Sequence, residues 1–156
     1  MLTLQITLGY TKNMSKINTL KKQVKKLFSQ NRKISSLAFG SEILTFNAKG
    51  INHLFYKNPR NIRNIKEIET RINLIPSAIK LIKIMPVFQE QSSFKTLSGE
   101  EINYWSFEGV IDGKRIKVII RQIGNGNKHF WSVIPNWRRD RFNNIVNSRG
   151  SLGKAD

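Results

Sequence analysis

The spacing of apolar residues divides the chain into a first part with helical periodicity and a second part with strand periodicity. Within residues 15–29, one face of a helix would carry the apolar side chains and the opposite face the lysines. The apolar positions are Ile17, Leu20, Val24, Leu27 and Phe28, and the basic ones are Lys16, Lys21, Lys22, Lys25 and Lys26. The segment is predicted to be a docking helix with a solvated basic face, although a membrane-surface helix would show the same pattern.

Between residues 30 and 101 the pattern predicts one strand, three helices and two irregular segments. In chain order these are a connector 30–40, a strand 41–47, a helix 48–56, a helix 59–73, a helix 76–88 and a polar loop 89–101. Pro59 and Pro76 are assigned to the first turns of their helices, because proline is tolerated there.

The C-terminal half changes to the alternation of strands, with predicted strands at 102–111, 114–123 and 128–134. Asp112-Gly113 and Asn125-Gly126 separate them, and both dipeptides are strong signals for a two-residue hairpin turn. Two such turns in succession predict an antiparallel meander. Residues 135–150 are rich in arginine and asparagine, and we expect residues 151–156 to be a disordered tail.

The two turns also fix the register of the three strands, and the register decides which side chains share a face. It pairs Phe107 with Val118, and it pairs Ile120 with both Trp105 and Trp131. The predicted apolar face consists of Trp105, Phe107, Val118, Ile120, Trp131 and Val133. The opposite, mixed face consists of Tyr104, Ser106, Glu108, Lys117, Ile119, Arg121, Phe130 and Ser132. Since the apolar face must pack on the helices, the fold class is predicted to be α+β, with N-terminal helices followed by an antiparallel sheet.

Net charge narrows the class of partner. The chain of 156 residues has a formal charge of +17, because 27 lysines and arginines outnumber 10 aspartates and glutamates. Such a domain repels itself and calls for an anionic partner. We expect nucleic acid, with a membrane surface or an acidic protein as open alternatives. A compositionally biased genome could also contribute, since lysine, asparagine and isoleucine are abundant.

The sequence disfavours a metal site, a cofactor site and a membrane span. The sequence has no cysteine and two widely separated histidines, His53 and His129, so we expect neither a metal site nor a cofactor. No apolar run approaches the length of a membrane span, and residues 1–12 lack a signal-peptide pattern. Export by a route that reads no such signal stays open.

The residue types suit the cleavage of RNA, whose 2′-hydroxyl is its own nucleophile. Such an enzyme needs acid–base groups and cationic or hydrogen-bonding side chains. His53 follows Lys49 by four residues, so both fit one side of a short helix. Imidazole titrates near neutrality and suits proton transfer, whereas the alternative is an ordinary hydrogen-bonded histidine beside a solvated lysine.

Two other stretches offer contacts to nucleic acid. On the mixed sheet face, Tyr104, Arg121 and Ser132 could hold a phosphate, or form an ordinary solvent-facing surface. The segment from Trp137 to Phe142 interleaves aromatic rings with arginines, as base stacking and phosphate pairing require, although a solvated basic tail is equally compatible. The candidate RNA-binding residues are Arg60, Arg63, Tyr104, Lys117, Arg121, Lys128, Trp137, Arg138 and Arg139. We expect His129 to point away from this face, and rank it below His53.

Four short motifs together resemble the barnase–EndoU–colicin–RelE-like nucleases, most closely their phage- and polymorphic-toxin-associated branch. The motifs are ILTFNAKGINHL, INLIP, GKRIKVIIRQ and KHFWSVIP, and the resemblance spans roughly residues 41–136. It implies N-terminal helices followed by a curved antiparallel sheet with the active site on its exposed face. It also implies metal-independent cleavage of RNA, often tRNA, to leave a 2′,3′-cyclic phosphate.

Residue roles are carried over only at matching positions. His53, within KGINHL, becomes the foremost acid–base residue, and Lys49, Arg71 and Ser132 join it as catalytic candidates. Arg60 and Arg71 are the candidates for phosphate handling. The expected division of the chain is a basic helical extension at 1–40 and a nuclease-like domain at 41–150.

The expected partners are RNA and, wherever the producer is exposed to its own enzyme, an acidic immunity protein or antitoxin. We expect a monomer with no membrane span. Its site of action would be the cytoplasm, reached by secretion or as part of a larger toxin. A non-catalytic RNA- or DNA-binding module is the alternative function, and a membrane-active protein driven by residues 15–29 is a third.

Overall fold

The computed structural model describes the backbone of residues 2–135, 137–139 and 145–147, and the side chains of residues 3–135. Three α-helices are described: α1 Leu2–Gln30, α2 Ala48–Phe55 and α3 Ile65–Ile84. The strands are β1 Lys33–Ser36, β2 Glu42–Thr45, β3 Tyr56–Asn58, β4 Asn61–Ile62, β5 Glu90–Lys95, β6 Glu101–Ile111, β7 Lys114–Ile123, β8 His129–Pro135, β9 Trp137–Arg139 and β10 Ile145–Asn147. A 3-10 turn, Leu37–Phe39, joins β1 to β2.

The largest sheet of the described chain has six strands in the order β1-β2-β8-β7-β6-β5. All its pairings are antiparallel except that of β2 with β8, which are parallel neighbours at Thr45 and His129. The helices pack on one face of this sheet, and the predicted α+β class is confirmed. The sheet is more than the predicted C-terminal meander, because β1 and β2 extend it at one edge.

Helix α1 is longer than predicted and is part of the main core. Its residues 3–16 are exposed, whereas Ile17, Val24 and Phe28 are buried with residues of α3 and the sheet. The predicted connector 30–40 contains β1, and Ile34 of that strand is buried in the same core. A boundary after residue 40 therefore does not coincide with a break in the packing.

Helix α3 replaces the two predicted helices around Pro76. It runs without interruption from Ile65 to Ile84, with Pro76 exposed inside it. Proline removes one helix hydrogen bond, but the flanking Ile75 and Ile79 are buried and hold the helix against the sheet. Asn64 caps its start, since the amide oxygen accepts the backbone N–H of Glu67 at 2.8 Å.

Residues 56–62, predicted in part as helix, form the β3–β4 hairpin instead. Its turn is closed by the Asn58 side chain, whose Oδ1 accepts the backbone N–H of Arg60 and of Asn61. Strand β5, predicted as loop, pairs along its whole length with β6. It is an edge strand with largely exposed side chains, so it lacks the apolar alternation that marks a half-buried strand.

The β6–β7 hairpin forms as predicted. Asp112 and Gly113 both have positive φ, as a two-residue hairpin turn of this kind requires, and Phe107 lies opposite Val118. Strand β8 follows the predicted register from Ser132 to its end, with Val133 opposite Val118, but departs from it before Ser132. That departure shapes the candidate site.

Candidate functional site

A β-bulge in β8 exchanges the faces of two aromatic residues. Ile119 pairs with Ser132, but the next residue, Ile120, pairs with Phe130 and leaves Trp131 as the extra residue. The predicted pairing of Ile120 with Trp131 is therefore wrong. Phe130 enters the core, where its ring centroid lies 4.9 Å from that of Phe46.

Helix α2 is docked closely against β8 at the bulge. The Asn47 side chain caps the helix by accepting the backbone N–H of Lys49 at 3.0 Å. One turn on, Gly50 lies against the Phe130 carbonyl, where an added Cβ would be 2.5 Å from the oxygen. This approach brings His53 onto Trp131, with ring centroids 3.9 Å apart and an angle of 19° between the rings.

The Trp131 indole is also stacked on Arg121, whose Cζ lies 3.4 Å from the ring centroid. Two flat groups cannot both lie within 4 Å of one ring on the same side, so His53 and Arg121 occupy opposite faces of the indole. Arg121 Nε donates a hydrogen bond of 3.1 Å to His129 Nε2. His129, which the regular alternation directed to the other face, lies instead opposite Arg121.

The charge state of His129 follows from its burial. Burial, assisted by the positive charges of Arg121 and Lys49, lowers the pKa of His129 to about 4, against an opposing hydrogen bond to the Asn127 carbonyl. His129 is therefore neutral at pH 7 and can accept from Arg121. Burial also lowers the pKa of Arg121, while the neighbouring Tyr104 hydroxyl acts in the opposite direction.

A largely buried cluster of ion pairs lies behind His53. Arg63 Nε donates to the His53 carbonyl at 3.1 Å, and its Nη2 lies 3.5 Å from His53 Nε2. Glu67 Oε1 accepts from Arg63 at 3.0 Å and from Arg71 at 3.3 Å. Arg71 Nη1 then donates to Ser132 Oγ at 2.7 Å. Of the predicted site residues, Arg63, Arg71 and Ser132 thus fix the surroundings of His53 from within the protein.

His53 faces an open pocket of about 510 Å³. Its lining consists of Lys49, Asn52, His53, Tyr56, Lys57, Asn58, Pro59, Arg121 and Trp131. Three of these side chains are cations and none is a carboxylate. The pocket is therefore suited to a phosphate-bearing ligand, because cations and amide donors match anionic oxygens.

Other predicted RNA-binding residues lie away from this pocket or are engaged elsewhere. Lys117 is only 1% exposed and lies 3.3 Å from Glu90 and 3.8 Å from Glu108, so the structure corrects its assignment as a surface phosphate contact. Tyr104 is buried and stacked on Phe94.

Two more of the predicted RNA-binding residues, Lys128 and Arg60, lie in different surroundings. Lys128 pairs with Glu42 at 2.9 Å and lies over the rings of Phe39 and Trp105. Arg60 is exposed and follows Pro59 at the pocket rim. The side chains of Trp137, Arg138 and Arg139 lie outside the described residues.

Several pocket residues were not predicted, namely Asn52, Tyr56, Lys57, Asn58, Trp131 and the supporting His129. Trp131 and His129 were missed because the bulge reverses the alternation that assigned their faces. Tyr56 and Lys57 begin the β3 strand, which the helical pattern concealed. Asn52 lies one position before His53, and only the observed docking of α2 shows that it too reaches the pocket.

Within the described residues, no group of three histidine, cysteine or acidic side chains is arranged to hold a metal ion. No helix in that part of the chain is both long and apolar enough to cross a membrane. A scan against protein-family models finds no match, and comparisons with curated protein sequences and with solved structures find no significant match either.

Proposed function

We propose that this protein is a metal-independent endoribonuclease that cleaves RNA by attack of the 2′-hydroxyl and leaves a 2′,3′-cyclic phosphate. One observation carries the proposal: His53 lies in a pocket with Lys49, Lys57 and Arg121, and no carboxylate lines that pocket. This combination provides a proton-transfer group beside a site for the phosphodiester. The short motifs that resemble the barnase–EndoU–colicin–RelE-like nucleases support the same function.

The pocket cations hold the scissile phosphate and stabilise the charge that develops on it. Arg121 is the best placed of the three, because Trp131 and His129 fix the plane of its guanidinium. Its Nε–H is directed to His129, which leaves N–H groups for the non-bridging oxygens of the phosphate. Lys49 and Lys57 are exposed, and they act as point charges at the rim.

His53 removes the proton from the 2′-hydroxyl. The Arg63 guanidinium can only donate, so its long contact of 3.5 Å leaves Nε2 as the acceptor of the neutral ring, and in the proposed step the 2′-hydroxyl replaces Arg63 at that atom. A neutral imidazole is the form that a general base requires. As the 2′-oxygen bonds to phosphorus, its proton passes to Nε2 of His53.

Arg71 and Ser132, predicted as catalytic, become positioning residues in this mechanism. Both are buried, and they reach His53 through Glu67 and Arg63. The tRNA substrate and an acidic inhibitor protein are part of the proposal too, since a surface with net charge +17 attracts both.

Incubation of the purified chain with total tRNA in excess EDTA tests the function. We expect discrete fragments from the wild type and none from His53→Asn, which keeps the approximate size and polarity of the side chain. Lys83→Ala is the matched control, because it removes one exposed positive charge at the end of α3, and this variant should cleave like the wild type.

Intact tRNA with every protein would contradict the enzyme, and a gel shift in the same samples would favour a binding module. Equal cleavage by His53→Asn would remove His53 from the mechanism. Circular dichroism of each variant verifies that the fold is retained.

A further inference from the structure

Helix α1 reaches the wall of the pocket through one lysine. Lys21 Nζ donates a hydrogen bond of 3.0 Å to the Tyr56 hydroxyl oxygen. The same ammonium lies over the rings of Phe55 and Tyr56, at 5.7 and 5.2 Å from their centroids. Lys21 is partly buried, whereas its neighbours Lys22 and Lys25 are exposed. This lysine is therefore fixed on the phenol.

The contact has a direct chemical consequence for Tyr56. An ammonium group can only donate, so it occupies a lone pair of the phenolic oxygen and leaves the O–H hydrogen to point elsewhere. Within residues 3–135, Lys21 is the one hydrogen-bond partner that we find for this hydroxyl. Tyr56 also lines the pocket, so a bound phosphodiester can accept that hydrogen.

The cleavage proposed above needs a proton donor as well as a base. His53 takes the 2′-hydroxyl proton, but the 5′-oxygen must gain one as its bond to phosphorus breaks. Tyr56 follows His53 by three residues at the end of α2, and both side chains line the same pocket. Lys49 and Lys57 also line the pocket, but both are exposed. Among the described residues, no ion pair or side-chain hydrogen bond that we find fixes either ammonium group.

We propose that Tyr56 is the general acid of this site and that Lys21 of α1 stabilises the tyrosinate that forms. The inference rests on the proposed function. In the cleavage step the Tyr56 O–H proton goes to the 5′-oxygen while the 2′-hydroxyl proton goes to His53. The products are a cyclic phosphate and a 5′-hydroxyl. Exchange with solvent then returns a proton to Tyr56 and removes one from His53, which closes the cycle.

The proposal gives the N-terminal helix a chemical role. Lys21 places a positive charge 3.0 Å from the phenolic oxygen, on which negative charge develops as the proton is transferred. The sequence alone predicted a docking helix there, with a membrane-surface helix as the alternative, and placed Lys21 on its solvated basic face. Removal of α1 is accordingly expected to impair the chemical step as well as the packing of the core.

A substrate with a sulfur leaving group tests the assignment. The wild type first locates its cleavage site in tRNA, and an oligoribonucleotide with that sequence is made with oxygen or sulfur at the 5′-bridging position. A thiolate leaves without protonation, so only the oxygen substrate needs the acid. We expect Tyr56→Phe to cleave the oxygen substrate about 100-fold to 10,000-fold more slowly than the wild type, with the loss in kcat. It should cleave the sulfur substrate at nearly the wild-type rate.

Lys21→Met tests the partner in the same assay. We expect a smaller loss on the oxygen substrate that also disappears with sulfur, and no loss for Lys22→Met, which removes a neighbouring exposed lysine. An oxygen-substrate rate for Tyr56→Phe within threefold of the wild type would overturn the inference, as would equal losses on both substrates. A wild type that cleaves neither substrate nor tRNA would overturn the nuclease function itself.

Discussion

Substitution of Gly50 by alanine tests the docking of α2 on the sheet, on which the position of His53 depends. An added Cβ would lie 2.5 Å from the Phe130 carbonyl oxygen and 3.1 Å from Cδ1 of the same residue. The oxygen belongs to the backbone of β8 and cannot rotate away as a side chain could. Carbon and carbonyl oxygen atoms approach to about 3.3 Å, so α2 must move outward by roughly 0.8 Å.

Two opposing effects set the size of the loss. Alanine is favoured over glycine inside a helix by about 1 kcal/mol, whereas overpacking of a close contact costs about 1–3 kcal/mol. Because a backbone atom is involved, we expect a value near the upper end of that range. The free energy of unfolding of Gly50→Ala should therefore be about 1–2 kcal/mol below that of the wild type.

Urea denaturation followed by circular dichroism measures this difference. Gly9→Ala is the matched control, because the same substitution there enters a helix at a position with no atom within 4 Å of the added Cβ. That variant should be as stable as the wild type or slightly more so. A Gly50→Ala protein that is fully as stable as the wild type would refute the close approach of α2 to β8.

Two further predictions concern buried ionisable side chains, His129 and Lys117. The pKa of His129 is lowered from 6.5 to about 4 in the folded protein, so the unfolded chain binds the extra proton first as the pH falls. The wild type should therefore lose up to about 3 kcal/mol of stability relative to His129→Gln between pH 7 and pH 4, and parallel pH profiles in denaturation experiments would disprove this. Lys117→Ala should lower the free energy of unfolding by about 2–3 kcal/mol, because it removes a buried side chain and leaves two partly buried carboxylates without their cation. Lys80→Ala, which removes an ion pair whose partners are both about 60% exposed, should change it by less than about 0.5 kcal/mol, and equal losses would contradict the difference in burial.

Features that local sequence determines could be predicted from the sequence. The Asp112-Gly113 turn needs only its own two residues, and it set the register of β6 and β7 correctly. The alternation that predicted the strand 41–47 is equally local. His53 was a candidate because histidine is rare in this chain and follows Lys49 at helical spacing.

Features that depend on tertiary packing were missed. The bulge at Trp131 reverses the alternation and turns Phe130 into the core, where its ring packs on those of Phe28 and Phe46. Pro76 is accommodated inside α3 because buried neighbours outweigh the lost hydrogen bond. The pocket joins α2, β3, β7 and β8, and no local pattern indicates that these elements meet.

The chemical nature of the RNA ends tests the central claim most directly. Fragments of tRNA produced by the wild-type protein in excess EDTA would be analysed by mass spectrometry. We predict 2′,3′-cyclic phosphate at the new 3′ ends and hydroxyl groups at the new 5′ ends, with neither formed by His53→Asn. New 3′-hydroxyl and 5′-phosphate ends, or tRNA that stays intact with the wild type, would contradict cleavage by the 2′-hydroxyl in this pocket.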